Sequence, residues 1–486
     1  MSRAWLATEV VQTSAMDCGP AALKCLLEGF RVPVSYGRLR EACQTDTDGT
    51  SIDTLELVAR QLGMAAEQLM VPVDHVTLPR SAALPAIVVV RHGDGATHFI
   101  VVWRQLGDWL QVMDPATGRR WVHRRRLAEE LLQHQLSVPA ADWRAWIAGA
   151  EGLPPLRQRL ALLGLAPAQV QARIDTAAAD PGWFGFGALD AATRLVGRLV
   201  AAGGIATGAP ALRLLVALQD SVGRETGDIF GRIPQAYWSV VPDAEAAAEA
   251  QAAADAGHDT AAPPELHLLL RGAVLLRARS RLPQAPAGDD TAALPPLSRE
   301  LRAALQERPQ HPLAAVWALL RQDGLAMPAA LCGAMALAAL AMAGQTLLLR
   351  GLLDIAGQLG LPGQRLAALA ALLGFAALLL ALELPIVSAS LRYGRQLEMR
   401  LRMALLERLP QMGDRYFQSR AISDMADRSH SLQLARQMPL LGLNLVQSLA
   451  ELVLTLAGIA WFAPASTPLA LAIVACAIAL PLLSQP

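Results

Sequence analysis

Apolar residues recur at helical spacing over Ala21–Glu28, Tyr36–Cys43 and Ile52–Leu62, after which the pattern shortens to apolar runs at Ala86–Arg91, Phe99–Trp103, Trp109–Met113 and Arg120–His123. Three helices followed by four strands predict an α+β domain over residues 1–140. Asp46–Ser51 reads as a loop into the third helix, and Gly93–Asp94–Gly95 as the turn between two strands. Helical periodicity returns, more weakly, at Leu156–Ala177, Leu189–Leu199 and Leu212–Leu218, so residues 141–312 are expected to form a mostly helical insert. Its Ala244–Pro264 and Pro283–Pro296 stretches have the composition of linkers. Between them, Glu265–Leu282 is apolar on one side and carries Arg271, Arg277, Arg279 and Arg281. It is expected to be a helix with a solvated arginine face, the alternative being a membrane-surface or partner contact.

The last third is patterned differently. Met327–Leu349 has no charged residue and is long enough to cross a bilayer, and Leu366–Ser390, Leu440–Phe462 and Leu469–Leu483 follow as further spans. Residues 313–486 are therefore expected to be an all-α transmembrane domain with four spans. The polar stretch between the second and third carries nine arginines from Arg392 to Arg436, Arg415 among them. Such an excess marks the cytoplasmic side, and an even number of crossings puts the N-terminal domain there too.

Composition adds limits. With 486 residues, 53% hydrophobic and 17% charged, the chain is too long for one ordinary domain and too apolar for a wholly soluble one. Its formal net charge of +0 offers no basic surface for nucleic acid. Five cysteines, sparse and odd in number, do not make a disulfide scaffold, and no apolar signal-peptide core opens the chain. The leading domain is expected in a reducing compartment.

The candidate chemistry lies in that domain. Cys18 stands at the entrance of the first helix, where free N–H groups and the helix dipole favour a thiolate and make the sulfur a usable nucleophile. Pro20 suits the first turn. Gln12, six residues upstream, is placed to offer an amide to an oxyanion. His98 opens one strand and Asp114 closes the next, so His98 would exchange protons with Cys18 while Asp114 orients the imidazole. Taken singly, each has a plainer reading: a core cysteine, a strand-edge histidine, a turn-starting aspartate. His92, His98 and Cys18 lack the paired close ligands of a zinc site, and no metal is expected.

Gln12, Asp17-Cys18-Gly19-Pro20-Ala21, Thr97-His98-Phe99-Ile100-Val101-Val102 and Asp114-Pro115-Ala116-Thr117-Gly118 together resemble the peptidase domain of bacteriocin-processing ABC exporters, the double-glycine leader peptidases. The resemblance implies a papain-like cysteine peptidase fold, with Gln12, Cys18, His98 and Asp114 as oxyanion glutamine, nucleophile, base and orienting acid. It also implies cleavage of a precursor peptide after a Gly-Gly or Gly-Ala leader end. Some relatives lose the cysteine and only hold the leader, which leaves a non-cleaving receptor module as the alternative. Tyr416, Phe417, Arg420 and Asp424 resemble the coupling loop of exporter membrane domains, and Asn444, Gln447 and Glu451 share one helical face fit to line a polar passage or to bond neighbouring helices. A P-loop requires a lysine, and the single lysine, Lys24, lies in the first helix. ATP and magnesium are thus expected only on a separate or missing ATPase, the four spans being part of a six-span domain. A dimer through that domain, contact with membrane lipids, and the inner membrane of a bacterium with the peptidase facing the cytoplasm complete what the resemblance implies.

Overall fold

The computed structural model describes residues 4–91, 95–222, 232–246, 248, 266–281, 298–307, 314, 317–318, 321, 324–356, 361–413, 416–417 and 420–484. They divide into two units, Met1–Arg308 and Pro309–Pro486. His92, Gly93, Asp94, Arg415, most of Ala244–Pro264 and all of Pro283–Pro296 lie outside the described residues.

In the first unit, helices α1 (Cys18–Gly29), α2 (Tyr36–Ala42) and α3 (Ile52–Gln61) precede strands β1 (Met64–Val71), β2 (Ala86–Arg91), β3 (Thr97–Leu106), β4 (Trp109–Asp114) and β5 (Gly118–His123). Helix α4 (Arg124–Glu130), strand β6 (His134–Pro139) and helices α5 (Ala140–Ala148), α6 (Leu153–Leu162), α7 (Pro167–Ala178), α8 (Phe184–Ala201) and α9 (Ala209–Val222) follow. Strands β7 (Val240–Pro242) and β8 (His267–Arg281) and helix α10 (Arg299–Gln306) end the unit. The fold is α+β, and its sheet runs β1-β8-β2-β3-β4-β5, antiparallel throughout.

Both faces of the sheet are covered, which explains the unbroken apolar run of β2. Ile87, Val101, Trp103 and Met113 face the core with α1, α2 and α3, while Val88, Val90, Ile100 and Val102 face a second core on the other side. A Cβ on Gly29 would run into the Trp103 ring, so only glycine lets α1 lie this close to β3.

Three expectations are corrected. Glu265–Leu282 is not an arginine-faced helix: its residues form β8, a 15-residue strand inside the sheet. Its second half pairs with β1 and β2, its first half with β6 and β7. Arg277 is buried and bonds Glu67 and Glu151 rather than water, through Nη2–Oε1 contacts of 2.6 Å each. The described residues between 141 and 307 are likewise not a body apart from the peptidase-like part, because β8 sits between β1 and β2 and both belong to the first unit. Finally, Leu156–Ala177 is two helices, α6 and α7, broken where Gly164 takes a φ of +80° and Pro167 starts the next helix.

Helices α5 to α9 pack a further core on β7 and the first half of β8, with Trp143, Leu160, Phe186 and Leu268 inside it. A buried charge cluster ties this layer to the β1–β2 connection. Arg159 and Arg194 hold Asp74 at 2.9 and 3.1 Å, both also pair with Asp190, and Ser239 donates to Asp190 at 2.5 Å.

The second unit contains α11 (Ala326–Ala356), α12 (Pro362–Arg408), α13 (Ile422–Ser431), α14 (Met438–Phe462) and α15 (Thr467–Ser484). Four of its described stretches are long and apolar enough to cross a membrane. Helix α12 is 47 residues long and outruns its apolar segment; at Gly394, where a Cβ would strike the Arg436 carbonyl, it lies directly against the turn of residues 432–437.

Leu275 is fully buried and registers with Leu69 of β1 and Val88 of β2. Leu275→Pro should lower the unfolding free energy of this unit by about 3 kcal/mol or more, seen as an earlier urea transition in tryptophan fluorescence. An unshifted transition would mean that β8 is not a sheet strand.

Candidate active site

The turn Asp17 N–H to Ser14 carbonyl, 3.1 Å, leads directly into α1, and Cys18 is the first helical residue, half-buried. Gly19 follows where a Cβ would lie 3.2 Å from Thr50 Cβ, so the turn that carries Cys18 is packed tightly on the loop before α3.

Strands β3 and β4 run antiparallel, which brings the start of one and the end of the other to the same edge of the sheet. His98 and Asp114 occupy those two places, both buried. Asp114 also begins the β4–β5 turn. Its backbone carbonyl accepts from Thr117 N–H at 3.1 Å, its Oδ1 accepts from Ala116 N–H at 2.9 Å, and Gly118 closes the turn with a φ of +98°. The Asp-Pro-Ala-Thr-Gly run is thus a turn built to present a carboxylate.

That carboxylate meets the imidazole: His98 Nε2 lies 2.8 Å from Asp114 Oδ1. The imidazole also shares a side-chain hydrogen bond with Cys18. With Nε2 engaged by Asp114, Nδ1 is the nitrogen left for the sulfur. Burial would push the His98 imidazole down, but the hydrogen bonds to Asp114 and Cys18, and the charges of both, outweigh it and raise the pKa to about 9. Burial would raise Asp114, yet its bonds from His98 and Ala116 N–H, with the charges of His98 and Arg120, hold it below the usual carboxylate range. Arg120 Nη2 stands 3.4 Å from Asp114 Oδ2. A thiol, an imidazole that stays protonated near neutrality and an ionised carboxylate are joined in one chain of contacts. Such a chain is able to hold a thiolate–imidazolium pair and to move a proton at the imidazole.

Gln12 is anchored beside this chain, its N–H donating to the Pro115 carbonyl at 2.8 Å, while its side-chain Oε1 is buried without a hydrogen-bond partner among the described residues. The sequence reading passed over Asp17 beyond its place in the motif. A fully buried carboxylate one residue before the helix, it makes no capping bond and turns instead to Arg40. The available signal was the Tyr36/Arg40 spacing of four on α2, which puts both on one face. Among the described residues no cluster of three or more His, Cys, Asp or Glu is arranged to hold a metal ion.

In the second unit, Tyr416, Phe417, Arg420 and Asp424 are brought together. The Tyr416 and Phe417 rings stand edge to face at 5.5 Å, Arg420 lies over the Tyr416 ring at 4.0 Å, and Arg428 Nε bonds Asp424 at 3.1 Å. On α14, Gln447 donates to Glu451 at 2.9 Å. Asn444 and Gln447 line a cavity of about 110 Å³ together with Glu383 and Ser390 of α12; Glu451 stands behind Gln447 rather than in the lining.

Residues 8–138 match the family described as Peptidase C39. The lactococcin-G-processing and transport ATP-binding protein LagD of Lactococcus lactis subsp. lactis is 29% identical over 110 residues, 23% of this chain and 16% of that one. The pediocin PA-1 transport/processing ATP-binding protein PedD of Pediococcus acidilactici is 30% identical over 111 residues, 23% of this chain and 15% of its own. This chain therefore spans about one sixth of the length of those transporters. An uncharacterized protein of Methanothermobacter marburgensis is 32% identical over 124 residues, 25% of this chain and 82% of that protein. Among solved structures, the peptidase domain of Streptococcus ComA, described as a bifunctional ABC transporter involved in quorum sensing, shares 24% identity with a TM-score of 0.24, over 26% of this chain and 92% of that one. By the match over residues 8–138 and by the Methanothermobacter marburgensis relative, of which it covers 82%, the chain belongs to the Peptidase C39 family.

Proposed function

We propose that the chain is a membrane-bound cysteine endopeptidase that removes the leader of a ribosomally made precursor peptide at a double-glycine-type site. The observation that carries this reading is the single imidazole of His98 held between Cys18 and Asp114. The Cys18 thiolate attacks the carbonyl of the last leader residue, and Gln12 donates its amide to the oxyanion. His98 gives its proton to the leaving amine as the C–N bond breaks, leaving a thioester on Cys18. His98 then takes a proton from water, whose oxygen attacks the thioester; the leader leaves as a carboxylic acid and the thiolate is restored. Asp114 keeps the imidazole oriented through both halves and stabilises its charge whenever it holds the proton.

The four apolar stretches and the processing-and-transport relatives support coupling of this cleavage to export of the freed peptide. In that reading the peptidase faces the cytoplasm at a bacterial inner membrane, an ATP-binding subunit or segment supplies energy with magnesium, and the membrane unit works as a dimer. Tyr416, Phe417, Arg420 and Asp424 would meet the ATPase, and Asn444, Gln447 and Glu451 would border the passage. A leader-binding module that does not cut is the weaker reading, because it has no use for an imidazole bonded to a thiol.

Full-length chain in detergent, given a synthetic precursor with a Gly-Gly leader end, should cut it once after the second glycine. Cys18→Ala should lower the rate about 10³-fold or more while leader binding, read by fluorescence anisotropy, persists; cutting at the original rate would reject the mechanism. The pH profile should fall on its alkaline side near the His98 value of about 9, as the imidazolium loses its proton. Since the Asp114 bond is the largest of the effects that lift that value, Asp114→Ala should move this limb to lower pH. A limb that stays in place would remove Asp114 from its assigned role.

A further inference from the structure

We infer that Asp17, Arg40 and Tyr36 are positioning residues that set Gln12 and Cys18 at the mutual distance the cleavage needs; this rests on the peptidase reading above. Asp17 precedes the nucleophile and Thr13 follows the glutamine, and one buried carboxylate holds both. Asp17 Oδ2 accepts from Thr13 Oγ1 at 2.9 Å and from the Tyr36 hydroxyl at 3.3 Å, and its Oδ1 accepts from Arg40 Nε at 2.5 Å. The Tyr36 oxygen in turn accepts from Thr13 N–H at 3.4 Å. The loop from Gln12 to Cys18 is thus closed into a ring whose far side is helix α2.

That helix is held from outside. Ser35 N–H donates to the Ala304 carbonyl of α10 at 2.9 Å, and Glu307 accepts from Ser35 Oγ at 3.1 Å and from Arg38 Nε at 3.3 Å. Leu301 of α10 lies in the same core as α1. The support of the nucleophile therefore runs from Asp17 through Arg40 and α2 to the last helix of the unit.

Two physical demands make this arrangement catalytic in effect. The oxyanion forms between the glutamine amide and the sulfur, and a displacement of about 1 Å there costs on the order of 10²-fold in rate. A bare carboxylate beside a thiolate would also repel its charge, and the Arg40 guanidinium cancels it. The pair leaves no net charge behind the nucleophile.

The test uses the full chain with Tyr36→Phe, Arg40→Lys and Arg40→Met, measuring kcat and KM on the double-glycine precursor. Reactive sites are counted by mass spectrometry of Cys18 after iodoacetamide. Arg40→Met should lower kcat per reactive site about 10²-fold with KM within about twofold, and Arg40→Lys should recover part of the loss. Tyr36→Phe, which removes one hydroxyl and keeps the fold, should lower kcat per site about tenfold. If these variants only reduce the number of reactive sites, with kcat per site unchanged, the residues are merely structural and the inference falls. Cleavage that survives Cys18→Ala removes the peptidase reading and this inference with it; Cys18-dependent cleavage with an unchanged kcat in Tyr36→Phe and Arg40→Met removes this inference alone.

Discussion

Everything in the first unit depends on the pairing of β8. Among the described residues β1 joins the rest of the sheet through it alone, the helices α5 to α9 rest on its first half, and its buried Arg277 brings Glu67 and Glu151 together across two elements. Gly272 marks the crossing point: a Cβ there would strike the Val71 carbonyl, so the strand passes the end of β1 at backbone distance. A strand supplied from far down the chain thus stands between β1 and β2 in the same sheet that presents Asp114 at the end of β4. The helical layer and the peptidase layer share one hydrogen-bonded ladder and cannot separate without breaking it.

At the site, two opposing effects act on one imidazole, and their balance decides what it does. Taking His98 out of water favours its neutral form, whereas an ionised carboxylate at 2.8 Å and a thiol on the other side favour the charged one. The second effect wins because Asp114 is itself kept ionised by the turn it begins, through Ala116 N–H, and by Arg120. Local turn chemistry, several bonds from the sulfur, therefore reaches the protonation state of the imidazole.

Much of this was legible in the residues. Strand Ala86–Arg91 and helices at Tyr36 and Ile52 fall where the apolar pattern predicts them, because both sheet faces and one helix stripe must be apolar to be covered. Cys18, His98 and Asp114 stand out as residue types placed at element ends. What escaped had a physical cause in each case. β8 is leucine-rich with arginines two apart, a composition that fits a helix as well as a strand, and only partners on both sides decide between them. Arg40 looks like any exposed helix arginine, since the carboxylate it neutralises comes from the loop before a different helix. The Asp74–Arg159–Asp190–Arg194 cluster joins residues too far apart in sequence for any periodicity to announce it.

The burial of the remaining thiols in the first unit bears on how the protein responds to oxidation. Cys25 and Cys43 are sealed in the core beneath α1 and α2, and burial pushes both well above the ordinary thiol range. Neither offers a resolving partner, so once the half-buried Cys18 sulfur is oxidised to a sulfenic acid no disulfide within this unit is available to trap it short of the irreversible acids. Recovery then falls to small thiols from outside, and the protein's working life is tied to the reducing power of the compartment around it.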